Sequence, residues 1–273
     1  MIVITGAGGR LGGRVARLLG GGTRLVVRDV SRAPAIEADV AVASYGDFDA
    51  VRRALEGADV VFMVSGAEAP DRVAQHRNFV DAAVAAGAGH IIYTSFVGAA
   101  PDAVFTLGRD HWATEEHIRA SGLPFTFLRD NLYADFLPMM AGEDGVIRGP
   151  ADDGRAAMVA QDDIAAAAVA VLRSFSSHAG KTYDMTGPAA ISLAEAAATV
   201  TEVTGRPTRF HNETLSEAYA SRAVYEAPDW QVEAWVSTYT SIASGELSAV
   251  SDDIALLTGQ RPRSLRELLS QAL

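Results

Sequence analysis

The sequence predicts an α/β fold: a doubly wound parallel sheet with a smaller, mostly helical C-terminal lobe. Three observations predict it. Several short runs are continuously apolar rather than alternating, the pattern of strands covered on both faces. They alternate with small-residue helical patterns such as "DAVRRALEG" and "RNFVDAAVAAG", the second stopped by Gly87. The first run empties into a glycine string, "TGAGGRLGG", that opens the next helix. This is the βαβ rhythm of a Rossmann-type sheet.

The predicted strands are Ile2 to Gly6, Arg24 to Arg28, Asp39 to Ala43, Asp59 to Ser65, His90 to Ser95 and Pro124 to Asn131. Between the last two, "TLGRDHWATEEHIRASG" (Thr106 to Gly122) reads as a helix. After Asn131 the rhythm breaks into a short helix, a turn-rich stretch and a strand feeding a helix near Asp163, which Asp162 and Asp163 would cap. "KTYDMTGP" supplies one more strand, and the chain from Ser192 onward is mostly helical. The expected division is a nucleotide-binding domain over residues 1–135, with part of 155–190 returning to it, and a smaller substrate lobe over 136–273.

Composition narrows the function. The chain has 23 basic and 34 acidic residues, a net charge of −11, which opposes binding to nucleic acid or anionic lipid. Cysteine is absent, so thiolate chemistry and disulfides are excluded. No apolar run is long enough for a membrane span, and the chain opens directly on a strand, so a cytoplasmic protein is expected. His111 and His117, six residues apart, fall on different helix faces, and no metal site is expected there.

Gly6, Gly9 and Gly12 follow the first strand with the spacing of a phosphate-binding turn. Such a turn needs a tight bend, a backbone open to a pyrophosphate, and a helix N-terminus presenting free amides and positive dipole. The second strand ends on Arg28, where a protein preferring NAD would present an acid to the ribose. A guanidinium suits a 2′-phosphate, so NADPH is the expected cofactor, with NADH as the alternative. Asp29 would either orient Arg28 or weaken phosphate binding. The later strand ends, "VSG" (Val64, Ser65, Gly66), "YTS" (Tyr93, Thr94, Ser95) and "RDN" (Arg129, Asp130, Asn131), border the same crevice, or else bond local backbone.

"ITGAGGRLG", "VVRD", "YGD", "QHRN", "IIYTS", "HWATEEHIRASGLPFTFLRDNLYADF" and "DDIALLTGQRPRSLRELL" together resemble the NmrA-like, atypical short-chain dehydrogenase/reductases, and within them the bacterial NADPH-dependent quinone and triphenylmethane reductases. The resemblance implies that Gly6, Gly9, Arg10, Leu11 and Gly12 touch the cofactor phosphates and Arg28 the adenosine phosphate. It implies that Val64, Ser65 and Gly66 border the adenosine half, and Thr94 and Ser95 the nicotinamide half. Members often carry Asp where Ser44 stands, so no adenine contact is carried to that side chain; Tyr45 and Asp47 match without an assigned role.

Classical short-chain dehydrogenase/reductases place a Tyr and, four residues on, a Lys in the helix that here carries Leu107 and His111, and the resemblance implies that the resembled reductases themselves carry His at the second position. That Tyr protonates the alkoxide formed when a carbonyl takes up hydride. An alkoxide's parent acid resembles water, with a pKa of about 16, against about 10 for a phenol, a difference of about 8 kcal/mol in product-anion stability. A quinone becomes a phenolate and needs far less help, and a cationic triphenylmethane dye needs no proton at all. The expected activity is hydride transfer from NADPH to a quinone or similar flat acceptor held in a dry slot. His111 is the candidate catalytic residue, as a cofactor contact or a proton donor, or else a histidine bonded to backbone. Phe96, Trp112, Tyr133, Phe136, Met139 and Met140 are the candidate slot walls, or else plain core. Glu115 and Glu116 read as a solvated helix face, with Glu115 placed to orient His111. Two other functions stay open: an NADP-binding sensor without turnover, and a dedicated reductase of a biosynthetic pathway. The sequence leaves the oligomeric state open: Trp230, Trp235 and Tyr239 could cover a pocket or a subunit contact.

Overall fold

The structure, a computed structural model, describes residues 1–271. Its strands are β1 (Ile2–Thr5), β2 (Thr23–Val27), β3 (Asp39–Val42), β4 (Val60–Met63), β5 (Ile91–Phe96), β6 (Phe125–Asp130), β7 (Val146–Gly149), β8 (Arg155–Ala156), β9 (Lys181–Met185), β10 (Ile191–Ser192) and β11 (Arg209–Asn212). Its α-helices are α1 (Arg10–Leu19), α2 (Phe48–Leu55), α3 (Arg72–Ala85), α4 (Thr106–Ser121), α5 (Leu137–Met140), α6 (Gln161–Arg173), α7 (Leu193–Thr204), α8 (Leu215–Arg222), α9 (Asp229–Ala243), α10 (Asp253–Thr258) and α11 (Leu265–Gln271).

Seven strands form one sheet in the order β3-β2-β1-β4-β5-β6-β9. β1 runs parallel to β2 and β4, β2 to β3, and β4 to β5. The strands predicted from continuous apolar runs are these strands, shifted by a residue or two at their ends. Burial explains the pattern in the central strands: all four residues of β4 and all six of β5 are buried, leaving no solvent face to demand alternation, while β3 at the sheet edge is largely exposed. Phe62, Phe79, Ile91, Ile92 and Phe127 are fully buried, each side chain contributing about 1.5–3 kcal/mol by leaving water.

The chain forms two compact units. The first comprises Met1–Phe96, Asp110–Arg129 and Asp162–Tyr183, and the second Val97–Arg109, Asp130–Gln161 and Asp184 onward. In the first, Asp47 caps α2 by accepting from the Ala50 amide, which gives that residue of "YGD" its role. In the second, α7 and α8 each begin with a capping box, Ser192 with Glu195 and Thr214 with Glu217. The buried Arg222 guanidinium pairs with Glu213 at 3.0 Å and lies over the Tyr239 ring, and that ring packs where a side chain on Gly149 would stand.

The second unit is mostly helical, and its short strands pair, β7 with β11 in parallel and β8 with β10 antiparallel. Segments of two to four residues carry no periodicity of their own and become strands only where a partner completes the ladder. One local expectation is corrected. Helix α6 begins at Gln161, so Asp162 and Asp163 lie in its first turn rather than capping it. Asp135 takes the Gln161 amide at 2.9 Å, and Asp162 pairs with Arg14 of α1 at 2.6 Å. Among the described residues no helix is long and apolar enough to cross a membrane.

Candidate functional site

The chain leaves β1 toward β2 and β3 and returns on its other side through β4, so the carboxyl ends of β1 and β4 flank the topological switch point. The buried Thr5 ties those ends together: its hydroxyl donates to the Phe62 carbonyl at 3.1 Å and accepts from the Val64 amide at 3.0 Å. Tyr45 adds a second tie, its hydroxyl meeting Thr5 Oγ1 and donating to the Val64 carbonyl at 2.6 Å.

Beyond Thr5 the backbone turns through Gly6, whose φ of +59° lies in the left-handed region. Gly9 is the N-cap of α1 and supplies no side-chain hydrogen bond, and the first turn, Arg10, Leu11 and Gly12, carries no acid. Those amides and the positive end of the helix therefore face outward without a side-chain anion, as a phosphate requires. Gly12 makes the geometry possible. A Cβ there would clash with the Gly6 carbonyl oxygen and stand 2.8 Å from that of Thr5.

Arg28 follows β2 and is exposed, and among the described residues nothing holds its guanidinium by a hydrogen bond or ion pair. Asp29 is turned away to its own backbone, accepting from the Ser31 amide at 2.9 Å and the Ser31 hydroxyl at 2.8 Å, bonds that lower its pKa. The turn it caps, Val30–Arg32, lies against the glycine string, with the Arg32 carbonyl 3.1 Å from where a Cβ on Gly8 would be. Arg10, Arg28 and Arg32 are all exposed.

The segment after β4 is held from behind by buried side chains. The Ser65 amide donates to Thr94 Oγ1 at 2.7 Å. The Gly66 amide donates to His76 Nε2 at 2.8 Å, and the Gly66 carbonyl accepts from Arg72 Nε at 2.9 Å. Arg72, only 4% exposed, also donates to Asp110 Oδ2 at 3.2 Å and reaches His111 Nε2 at 3.1 Å. An arginine only donates, so His111 Nε2 accepts, and its proton sits on Nδ1, 2.9 Å from the Tyr93 hydroxyl. Burial, with Arg72 beside it, pushes the His111 pKa well down. A neutral imidazole with both nitrogens engaged has no proton to deliver near neutral pH, so the geometry runs against the proton-donor role considered for His111.

Ser95 is buried and donates to Glu115 Oε1 at 2.6 Å. Glu115 is itself fully buried, and it takes two bonds from Arg129 at 2.9 and 2.7 Å and one from Arg119 at 3.0 Å. It belongs to an ion-pair cluster and does not orient His111, a correction that follows from its burial. Phe96 stacks on His111 with ring centroids 6.0 Å apart, and Trp112 is half-buried in α4. The other candidate walls lie in the second unit: Tyr133 and Phe136 meet edge to face, Met140 is half-buried, and Met139 is 59% exposed. There Asn131 is buried and bonded to the Leu247 carbonyl, while Asp130 accepts from the Tyr133 hydroxyl at 2.8 Å on one oxygen and meets no partner on the other. Burial raises its pKa to about 8.

Sequence reasoning missed Thr5, Arg32, Arg72 and His76. The available signal was "RVAQH", which sets Arg72 and His76 four apart on one helix face.

Two predictions follow from this geometry. Gly12→Ala should force α1 off β1 and abolish phosphate-ligand binding, checked by titration with a nucleotide while circular dichroism confirms the fold. His76 and His111 are held neutral, His76 down to about 3, so below an unfolded pKa of 6.5 unfolding takes up protons and stability is lost as pH falls. Each group contributes about 1.4 kcal/mol per pH unit in that window. Asp130 acts oppositely, keeping its proton to about pH 8, so its contribution fades as pH rises toward that value. The melting temperature should peak near pH 6.5, and Asp130→Asn should flatten the alkaline limb.

The fold as a whole has counterparts among known proteins. The NmrA-like family model matches residues 1–237. Quinone oxidoreductase 2 of Escherichia coli (strain K12) is 34% identical over 283 residues, covering 99% of this chain and 98% of the relative. A crystal structure of the NADPH-dependent quinone oxidoreductase of Escherichia coli complexed with NADPH superposes with a TM-score of 0.90 at 32% identity, covering 100% and 99% of the two chains. The triphenylmethane reductase of Citrobacter sp. complexed with NADP(H) gives 0.88 at 30% identity, covering 100% of both chains. The chain belongs to the NmrA-like family.

Proposed function

We propose that this protein is an NADPH-dependent oxidoreductase that reduces a quinone or a similarly flat, conjugated small molecule, with NADH as the lesser cofactor. The observation that carries the reading is the turn from β1 into α1, where Gly12 lets uncapped helix amides stand over the switch point. It is supported by relatives named as a quinone oxidoreductase, an NAD(P)H azoreductase and a triphenylmethane reductase.

The residues present fit a phosphorylated dinucleotide. Gly6, Gly9, Arg10, Leu11 and Gly12 would receive its pyrophosphate at the α1 N-terminus. Arg28, with no competing partner, would hold the adenosine 2′-phosphate, and Arg32 beside Gly8 would add charge there. Val64, Ser65 and Gly66 would border the adenosine half, and Thr94 and Ser95 the nicotinamide half. When bound, NADPH supplies a hydride to the acceptor.

The protein's own part is orientation and exclusion of water. Phe96, Trp112, Tyr133, Phe136, Met139 and Met140 remain our candidates for the acceptor slot. His111 bonds Arg72 and Tyr93, so we assign it to placing α4 rather than to proton delivery. With Leu107 and a neutral His111 at the two positions in question, acceptors whose reduced form is already a weak base are favoured.

NADPH oxidation should exceed background with benzoquinone, naphthoquinone and a cationic triphenylmethane dye, and stay at background with a simple ketone such as cyclohexanone. Brisk ketone reduction would overturn the acceptor class; tight NADPH binding with no turnover across the panel would make the protein a cofactor sensor. Arg28→Ala should cut the preference for NADPH over NADH by about tenfold, since a charge-assisted pair is lost. An unchanged ratio of kcat/KM values removes Arg28 from the site.

A further inference from the structure

Helix α3 presents Arg72 and His76 four residues apart on one face, and both reach the same residue, Gly66. Between them they satisfy both backbone groups of that glycine. Each also continues to α4: Arg72 to Asp110 and His111, and His76 through Nδ1 to Thr114 Oγ1 at 2.9 Å. Thr114 spends its own proton on the Asp110 carbonyl at 2.8 Å, so it accepts from His76.

Every proton in this arrangement has one permitted place. The Gly66 amide can only donate, so His76 presents its Nε2 lone pair and carries its proton on Nδ1. His111 takes the same tautomer for the same reason, since Arg72 can only donate. The contact is also close: a Cβ on Gly66 would stand 3.1 Å from His76 Nε2. His76 also packs edge to face against the Tyr45 and Tyr93 rings, which holds its imidazole in line with the Gly66 amide. Satisfying a backbone turn that opens onto the switch point is what Arg72 and His76 accomplish together.

We infer that Arg72 and His76 are positioning residues for the cofactor: they fix the Ser65–Gly66 backbone in the binding-competent arrangement and so set affinity for the nicotinamide dinucleotide. The inference rests on the functional reading above, in which Val64 to Gly66 border the adenosine half. Free rotation of this turn would reduce the competent fraction, and apparent affinity falls in proportion to that fraction. Burial keeps His76 neutral, so the clamp holds throughout the neutral range.

The test uses the full-length protein and NADPH as the probe, with direct binding measured beside steady-state kinetics. His76→Leu removes the acceptor for the Gly66 amide and should weaken NADPH binding about tenfold, the equivalent of one lost buried hydrogen bond. KM for NADPH should rise in step, while KM for the quinone changes by less than about twofold. His76→Gln, whose amide oxygen can stand near the Nε2 position, should recover most of the affinity. Gly66→Ala keeps both clamping residues but sets a Cβ 3.1 Å from His76 Nε2, pushing the turn and the imidazole apart, so it should reproduce the loss even if His76→Leu folds poorly. Asp81→Asn, on the same helix but bonded to His117, should bind like wild type. Wild-type NADPH affinity in folded Gly66→Ala, or in folded His76→Leu, would overturn the positioning role alone. Absence of NADPH binding by the wild type would overturn the functional reading and this inference with it.

Discussion

Helix α1 can rest on the carboxyl end of β1 only because Gly12 has no side chain. The Gly6 and Thr5 carbonyl oxygens occupy the space a Cβ would need. This one approach sets where the helix N-terminus points, and hence where a phosphate can be bound by amides and dipole together. The left-handed Gly6, the tie from Thr5 to β4 and the placement of Arg32 beside Gly8 are all arranged around it.

Behind that opening the first unit is unusually polar for a sheet core. Arg72, His76, Thr94, Ser95, His111, Thr114 and Glu115 are all buried. Such groups are tolerable only when their hydrogen bonds are made, since one orphaned partner costs about 1–3 kcal/mol. Here the partners close on one another, through Gly66 in one direction and the Arg119 and Arg129 pairing of Glu115 in the other. A buried ion pair of this kind adds little net stability, but it resists rearrangement because breaking it strands a charge. The polar core thus gives definition to the strand ends more than it gives free energy to the fold.

The same closure decides the chemistry. A histidine at the place of a lysine invites reading as an acid, yet His111 meets a guanidinium on one nitrogen and a phenol on the other. On the function proposed above, what remains for the protein is to bind a hydride donor and a flat acceptor in register and keep water out. An acceptor that stabilises its own product asks nothing more of the site, which accords with the chemistry named for its relatives.

The sheet, its order of strands and helices, the glycine turn and the basic end of β2 were legible in the sequence, because each is written in local periodicity or in one residue's conformational freedom. The short strands of the second unit were not, since two to four residues become strands only when a distant segment offers a ladder. The partners of the polar side chains were not either: "RVAQH" announces a face, but not that Gly66 and α4 lie across from it. Arg72 and His111 are 39 residues apart in the chain, and Ser95 and Glu115 are 20 apart. By itself the sequence determined the shape of the β1 turn, because backbone conformation at glycine is a local property. Only the tertiary structure decided that Asp29 serves Ser31, that Glu115 serves Arg129 and that His111 is neutral, because a proton's place depends on which donor or acceptor the fold brings within 3 Å or so.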